Sequence, residues 1–175
     1  KVKAEKGLSA LANENFSPTY LRNATAFGVS CRLRFDLVLN NLVAWAVTTG
    51  NVHIKSDGTP WRPIVHIEDI ARAFVAVLEA DKAIVHNEAF NVGRNEDNYR
   101  ISEIASFVEE NVPNCTIEYA ADGSPDKRCY RVDCSKITKA IPAFKPQWDT
   151  IKGIKELFNT YASNTLTLDE FEGET

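Results

Sequence analysis

Short apolar segments typical of strands alternate with segments of helical periodicity along most of the chain. Residues 52–54, 61–67 and 88–93 are apolar or alternating and lie beside turn residues, which predicts strands. Over residues 67–80 and 101–112, apolar side chains recur at three- and four-residue spacing, which indicates amphipathic helices. Because strands and helices alternate in this way, the sequence predicts an α/β fold.

Local signals mark the ends of several of these elements. Asp36 is expected to cap a helix over residues 36–49, and Gly50 is expected to close that helix. Asp57 and Gly58 are typical of a turn that needs a positive φ. We therefore expect the strands on either side of this turn to form a hairpin.

Charge and composition limit the classes of partner. The 175 residues carry a formal net charge of −4, which gives no electrostatic case for nucleic acid or for an anionic membrane. No apolar run is long enough to span a bilayer, and the four cysteines show no zinc spacing, so we expect a cytoplasmic protein without a metal site. The sequence contains no Met, so we expect a fragment or a processed chain.

Several short motifs follow one another in a fixed order. They are Lys-Val-Lys-Ala-Glu at residues 1–5, Leu-Arg at 21–22, Phe-Gly at 27–28, Asn-Leu at 41–42, Arg-x-x-x-His at 62–66 with an Asp at 69, Phe-Asn-Val-Gly at 90–93, and Tyr-x-x-Asp-x-x-Lys at 130–136.

In their order and spacing, these motifs resemble the extended short-chain dehydrogenases/reductases, the family of nucleotide-sugar epimerases and dehydratases. The resemblance covers roughly residues 1–161. It implies the C-terminal part of a Rossmann-type NAD-binding fold together with the small α/β substrate-binding domain. Residues 1–28 would end the Rossmann domain, residues 29–161 would form mainly the substrate-binding domain, and residues 162–175 would form a flexible acidic tail.

The resemblance also implies two residues of the cofactor site. Lys1 would be the lysine of the catalytic Tyr-x-x-x-Lys pair, lowering the pKa of the tyrosine and binding the cofactor ribose. Ala24 would contact the same cofactor, NAD or NADP. The family's Gly-rich turn does not occur in this sequence and would belong to a preceding half, with the tyrosine. The alternative is that Lys1 is a solvated lysine at the start of a helix.

Five residues would bind the substrate, a nucleotide-diphosphate sugar, if the resemblance holds. Asn41 would donate its amide to the diphosphate, with Leu42 beside the nucleotide. Arg62 and Arg128 would bind phosphate oxygens through their guanidinium groups. Thr25 stands where the family often has Asn, so we expect a substrate that differs from those of the best-known epimerases.

Structural alternatives exist for three of these residues. The alternative for Asn41 is an ordinary polar residue inside a helix, and the alternative for Arg62 is a surface arginine that pairs with Glu68 or Asp69. In the late loop, Lys127 and Arg131 compete with Arg128 for the role of second phosphate ligand. We expect Asn41, Arg62 and Arg128 to converge on one cleft.

Two hypotheses for the function follow. The first is the substrate-binding half of an NAD(P)-dependent nucleotide-sugar epimerase or dehydratase, inactive as a fragment, with transient hydride transfer at a sugar carbon in the full enzyme. The second is a non-catalytic relative that binds a nucleotide or dinucleotide as a sensor or scaffold. In either case, the small residues of a helix over residues 1–13 predict a homodimer through that helix.

Overall fold

The structure is a computed structural model that describes residues 1–121 and 128–173. The strands are β1 (Tyr20–Asn23), β2 (Thr25–Phe27), β3 (Asn51–Ile54), β4 (Trp61–His66), β5 (Ala89–Val92), β6 (Asn98–Arg100) and β7 (Thr116–Tyr119). The helices are α1 (Val2–Ser9), α2 (Val38–Thr49), α3 (Ile67–Glu79), α4 (Lys82–Val85), α5 (Ile101–Asn111), α6 (Ser135–Ala140), α7 (Thr150–Ser163) and α8 (Leu168–Gly173). Within the described ranges, every helix is too short or too polar to cross a bilayer.

The strands pair mainly in parallel, which confirms the predicted α/β class. β1 pairs with β5, β2 pairs with β4, and β3 pairs with β7, each in parallel register. β6 adds to β4 in the antiparallel direction. The predicted hairpin between β3 and β4 is wrong, because these two strands pair with different partners. Gly58 nevertheless has the expected positive φ of 77°.

Two hydrophobic cores lie under these strands. The first, called the α2 core here, joins α2, β3, α5 and α7 around buried residues such as Leu39, Val52 and Ile154. The second, called the α3 core, joins β5, α3 and α6 around residues such as Phe90 and Ile137. The chain therefore buries apolar surface at two separate centres.

Helix α2 begins differently from the prediction and ends as predicted. Leu37 occupies the N-cap position without a side-chain cap, so the expected capping role of Asp36 is wrong. The Asp36 carboxylate instead accepts hydrogen bonds from Arg34. Gly50 closes the helix with a φ of 76°, a left-handed conformation that favours glycine, which confirms its predicted role.

The segment that precedes α7 is attached to the start of α3 through Trp148. Its backbone N–H and that of Gln147 donate to the buried carboxylate of Asp69 in α3, each at 2.9 Å. The Trp148 ring stacks on His66 with 3.7 Å between centroids and 8° between planes. His66 in turn caps α3, since its Nδ1 accepts from the backbone N–H of Glu68. His66 and Asp69 therefore fix the start of α3.

The two ends of the chain differ from the predicted segments. Helix α1 ends at Ser9 rather than at residue 13, and none of its residues is buried. Residues 162–175 were expected to form a flexible tail, yet α7 extends to Ser163 and α8 follows it. Phe171 of α8 is only 1% exposed and packs edge-on against Phe35 and Trp45. The described part of this segment therefore belongs to the α2 core.

Candidate functional site

One pocket of about 620 Å³ lies between the start of α2, the end of β3, strand β4 and the segment that begins at residue 128. We call it the α2 pocket. It is lined by Thr25, Arg34, Asp36, Leu37, Val38, Asn41, Leu42, His53, Ile54, Lys55, Ser56, Arg62, Ile101, Arg128 and Tyr130.

The α2 pocket contains all five residues that the sequence suggested for substrate binding. Thr25, Asn41, Leu42, Arg62 and Arg128 come from four separate parts of the chain, and each lines this one pocket. The expected convergence of the Asn and the two Arg side chains on one cleft is therefore observed. Their binding roles stay predictions.

Arg62 is fixed below the surface of the pocket. Arg62 is only 7% exposed. Its Nη1 donates to the Trp61 carbonyl oxygen at 2.9 Å and also to the Arg128 carbonyl oxygen. Its guanidinium carbon also lies 5.7 Å from the centroid of the Tyr130 ring. The two acidic residues at the start of α3 pair with Arg72, whose Nη1 lies 3.2 Å from Glu68 Oε2 and 3.3 Å from Asp69 Oδ1.

The segment that carries Arg128 is held against β4 and β6. The Tyr130 N–H donates to the Trp61 carbonyl at 3.4 Å, and the Val132 N–H donates to the side chain of Asn98 at 2.8 Å. Arg131 lies over the Trp61 ring, with 4.4 Å to its centroid. Arg128 is therefore the arginine of this segment that lines the pocket. Its other competitor, Lys127, lies outside the described residues.

The Asn-Asn pair in α2 has a structural explanation. The buried Asn40 accepts from the Gly28 N–H and donates to the Arg34 carbonyl, each at 3.0 Å. Asn41 donates to the Phe35 carbonyl at 2.9 Å. Both amides thereby hold the loop between β2 and α2. An amide carries two N–H groups and one carbonyl oxygen, so Asn41 retains hydrogen-bonding capacity on its pocket side.

The glycine of the Phe-Gly motif, Gly28, is required because the His66 side chain lies close to its backbone. Gly28 has a φ of 111°, and a Cβ there would lie 2.4 Å from the His66 Nε2. The same nitrogen lies 2.9 Å from Glu156 Oε2, which also accepts from the Val29 N–H at 3.2 Å. These contacts fix the loop that follows Thr25, and so they set the position of that edge of the pocket.

Sequence reasoning missed several charged groups of the pocket. Arg34, Asp36 and Lys55 line it, as does His53, but none of them belongs to a quoted motif. Arg34 and Asp36 form a bidentate ion pair, with 2.9 Å from Nε to Oδ1 and 2.5 Å from Nη2 to Oδ2. Hydrogen bonds from Arg34 hold the pKa of Asp36 below its usual value. The basic character of residues 32–34 was the available signal.

The expected cofactor residues lie elsewhere. Lys1 is exposed at the N-cap of α1, and Ala24 is buried where β1 ends, with its N–H donating to the Val92 carbonyl at 3.0 Å. Neither residue lines the α2 pocket. Helix α1 is tied to β1 by an ion pair between Glu5 and Arg22. Among the described residues, no cluster of three or more His, Cys, Asp or Glu side chains could hold a metal ion.

Solved structures with this fold include several sugar-nucleotide enzymes. An NAD-dependent NDP-hexosamine 5,6-dehydratase of tunicamycin biosynthesis, TunA, superposes with a TM-score of 0.77 at 18% identity, covering 93% of this chain and 52% of the other. RMD from Pseudomonas aeruginosa, complexed with NADPH, gives 0.77 at 14% identity, covering 94% and 55%. The UDP-glucuronic acid 4-epimerase from Bacillus cereus, in complex with UDP-glucuronic acid and NAD, gives 0.70 at 24% identity, covering 91% and 50%.

These similarities establish a shared fold, and the chain spans about half the length of the structures that it matches. The sequence itself identifies the family. The model of the NAD-dependent epimerase/dehydratase family matches residues 1–93, which is more than half of the 175 residues. The chain therefore belongs to the NAD-dependent epimerase/dehydratase family.

Proposed function

We propose that the α2 pocket binds the nucleoside diphosphate part of a nucleotide sugar, and that the chain supplies the substrate-binding half of an NAD(P)-dependent epimerase or dehydratase. The observation that carries the proposal is the set of four basic side chains around one pocket, Arg34, Lys55, Arg62 and Arg128. Guanidinium and ammonium groups are the usual protein ligands of phosphate oxygens.

The concentration of charge supports an anionic ligand. The chain as a whole has a net charge of −4, whereas the described residues that line the pocket include four basic side chains and one acidic side chain, Asp36. A cleft of one dominant sign raises the local concentration of an oppositely charged ligand. The ligand would therefore be drawn to this pocket despite the acidic surface elsewhere.

The pocket also offers apolar surface beside the cations. Leu42, Ile54 and Ile101 are buried and lie on its wall. A nucleobase has two apolar faces, so it can pack on aliphatic side chains while the diphosphate binds the arginines. A small inorganic anion would leave this wall unused, which favours a nucleotide.

The cofactor of the proposed reaction is NAD or NADP, as the family implies. When bound, the nicotinamide would accept a hydride from a sugar carbon and return it. Ala24 lies where β1 of a parallel pair ends, which is where nucleotide cofactors bind in such sheets. Lys1 would be the catalytic lysine that binds the cofactor ribose. These residues fit one end of the cofactor site, and the Gly-rich turn that binds the pyrophosphate is not in this sequence.

Binding of nucleotides to the 175-residue chain tests the proposal. UDP, dTDP, GDP and ADP are titrated by calorimetry against the wild type and against Arg128→Gln and Lys55→Gln. A hydrogen bond to a charged group contributes about 1.5–3 kcal/mol, so each variant should weaken the tightest nucleotide by about tenfold or more. Lys139→Gln is the matched control, since Lys139 is exposed on α6 away from the pocket.

Two outcomes would contradict the proposal. No binding of any of these nucleotides would remove its basis. An equal loss in the Lys139 control would mean that general charge, rather than the pocket, attracts the ligand. If a full-length protein that contains this chain binds nucleotide sugars but turns none of them over, the sensor or scaffold hypothesis is favoured instead.

A further inference from the structure

The α2 pocket holds two of its arginines in opposite ways. Arg62 is 7% exposed and donates to backbone carbonyls, so its guanidinium is fixed by the fold. The Arg34 side chain is 60% exposed and pairs with Asp36, whose side chain is 51% exposed. The second arginine is thus held by a carboxylate of the same pocket, two residues away along the chain.

The Arg34–Asp36 pair uses the groups that a phosphate would use. Nε and Nη2 of Arg34 each donate to one oxygen of the carboxylate, at 2.9 and 2.5 Å. A phosphate binds a guanidinium through the same pair of parallel N–H donors. The Nε–Nη2 edge holds one bidentate partner at a time, so a phosphate that binds Arg34 through this edge must displace Asp36.

The energies favour exchange. A solvent-exposed ion pair is weak, because water and salt screen it. A charge-assisted bond to a phosphate that is partly enclosed in a pocket is stronger. The Asp36 contact is therefore strong enough to orient Arg34 in the empty pocket and weak enough to be replaced.

We propose that Arg34 exchanges Asp36 for a phosphate oxygen when a nucleoside diphosphate enters the α2 pocket, so that Asp36 is an internal competitor that sets the affinity of the site. The inference rests on the proposed function of this pocket. It assigns the two residues distinct roles: Arg34 is a ligand of the phosphate, and Asp36 limits how tightly that phosphate is held.

A simpler role for Asp36 would be repulsion of the anionic ligand. The two roles differ in their dependence on Arg34. A competitor matters only while Arg34 is present, whereas repulsion acts on the phosphate whether or not Arg34 is present. A double-mutant cycle separates a coupled effect from an independent one.

The test uses the full chain, with the tightest nucleoside diphosphate of the four above as the probe, titrated by calorimetry. Asp36→Asn should tighten binding by up to about fivefold, and Arg34→Gln should weaken it by about tenfold. The double variant should bind like Arg34→Gln. Glu110→Gln removes one negative charge from the exposed side of α5, outside the pocket, and serves as the matched control.

Three results would overturn the inference. An unchanged affinity in Asp36→Asn would show that Arg34 is not released from a competitor. Equal tightening by Asp36→Asn in the wild type and in Arg34→Gln would assign Asp36 to repulsion alone. Equal tightening in Glu110→Gln would assign the effect to net charge. If the wild type binds no nucleoside diphosphate, the proposed function fails, and this inference fails with it.

Discussion

The α2 core is covered on its sides, whereas the α3 core leaves apolar surface in solvent. Around the α2 core, helices α5 and α7 pack on α2, and Phe171 of α8 covers Phe35 and Trp45. On the α3 core, Phe74, Val75 and Leu78 of α3 are exposed, the last by 82%. The difference indicates that the core beneath the α2 pocket is covered by helices of this chain, without help from further protein.

The strand pairing shows the same contrast. In the described residues, β1 pairs with β5 on one edge, and no strand pairs with its other edge. Parallel strands are normally covered on both faces and continue into larger sheets. We therefore expect the α3 core and the exposed helix α1 to pack against further protein, either more of the family fold or a second copy of the chain.

The largest expected effect is on stability, and it compares one leucine of each region. Leu39 of α2 is 0% exposed, so Leu39→Ala should lower the free energy of unfolding by about 2–5 kcal/mol. Leu78→Ala on α3 should change it by less than about 0.5 kcal/mol, because the side chain is already in water. Urea unfolding followed by circular dichroism measures both. A similar loss in the two variants would mean that α3 is covered in solution.

The next prediction concerns self-association. Val2, Leu8 and Leu11 are exposed on α1 and in the turn after it, and exposed apolar patches promote association. Light scattering of the wild type should show dimers or larger species, and Leu8→Glu with Leu11→Glu should shift them toward monomer.

Phe74→Glu with Leu78→Glu is the control for this association, since it places the same two charges on α3. Loss of dimers only in the α1 variant would support a homodimer through α1. Loss only in the α3 variant would move the interface to the α3 core, and a wild-type monomer at high concentration would refute both forms of the proposal.

The pocket was more predictable from the sequence than the strand pairing was. Arg62 and Asn41 belong to motifs whose spacing is local, so the resemblance of these motifs to the family could single them out for one cleft, while their binding roles stay predictions. The partner of β3 is β7, more than 60 residues away, and the turn at Asp57 and Gly58 gave a misleading local signal. Arg34 was missed for the same reason, since only the folded loop brings it to the pocket.

Capping and burial at the ends were equally dependent on tertiary contacts. Asp is a residue type that favours the N-cap position. The Asp36 carboxylate instead binds the neighbouring guanidinium of Arg34, which forms stronger hydrogen bonds than a backbone N–H would. The last residues are acidic and polar except for a few apolar side chains, and one of these, Phe171, fixes α8. A single anchor of this kind produces no periodicity for a sequence pattern to reveal.

A smaller difference between the two regions is expected in the order in which the four cysteine thiols react. Cys31 and Cys129 are exposed, whereas Cys115 and Cys134 are buried. Burial raises the pKa of Cys134 to about 11 and also raises that of Cys115, so neither buried thiol is an ionised nucleophile near pH 8. Iodoacetamide at that pH should modify the two exposed thiols first, as followed by mass spectrometry.

The two buried thiols then report on the two cores. Cys115 lies in the α2 core, and Cys134 lies at the start of α6, beside the α3 core. If the α3 core opens more readily, Cys134 should react before Cys115 in single-cysteine variants, despite its high pKa. Reaction of Cys115 first would contradict a readier opening of the α3 core.

The smallest expected signal is the binding of NAD to the isolated 175-residue chain. The Gly-rich turn that holds the cofactor pyrophosphate does not occur in the sequence, and Ala24 and Lys1 lie on the less covered side of the molecule. Calorimetry should therefore detect no NAD binding in the micromolar range. The same sample should bind a nucleoside diphosphate, because the α2 pocket is supported by the covered core, and this titration proves that the protein is folded. Micromolar NAD binding, lost in Lys1→Gln and retained in Arg128→Gln, would show that the α3 side is complete without further protein and would end the contrast between the two regions.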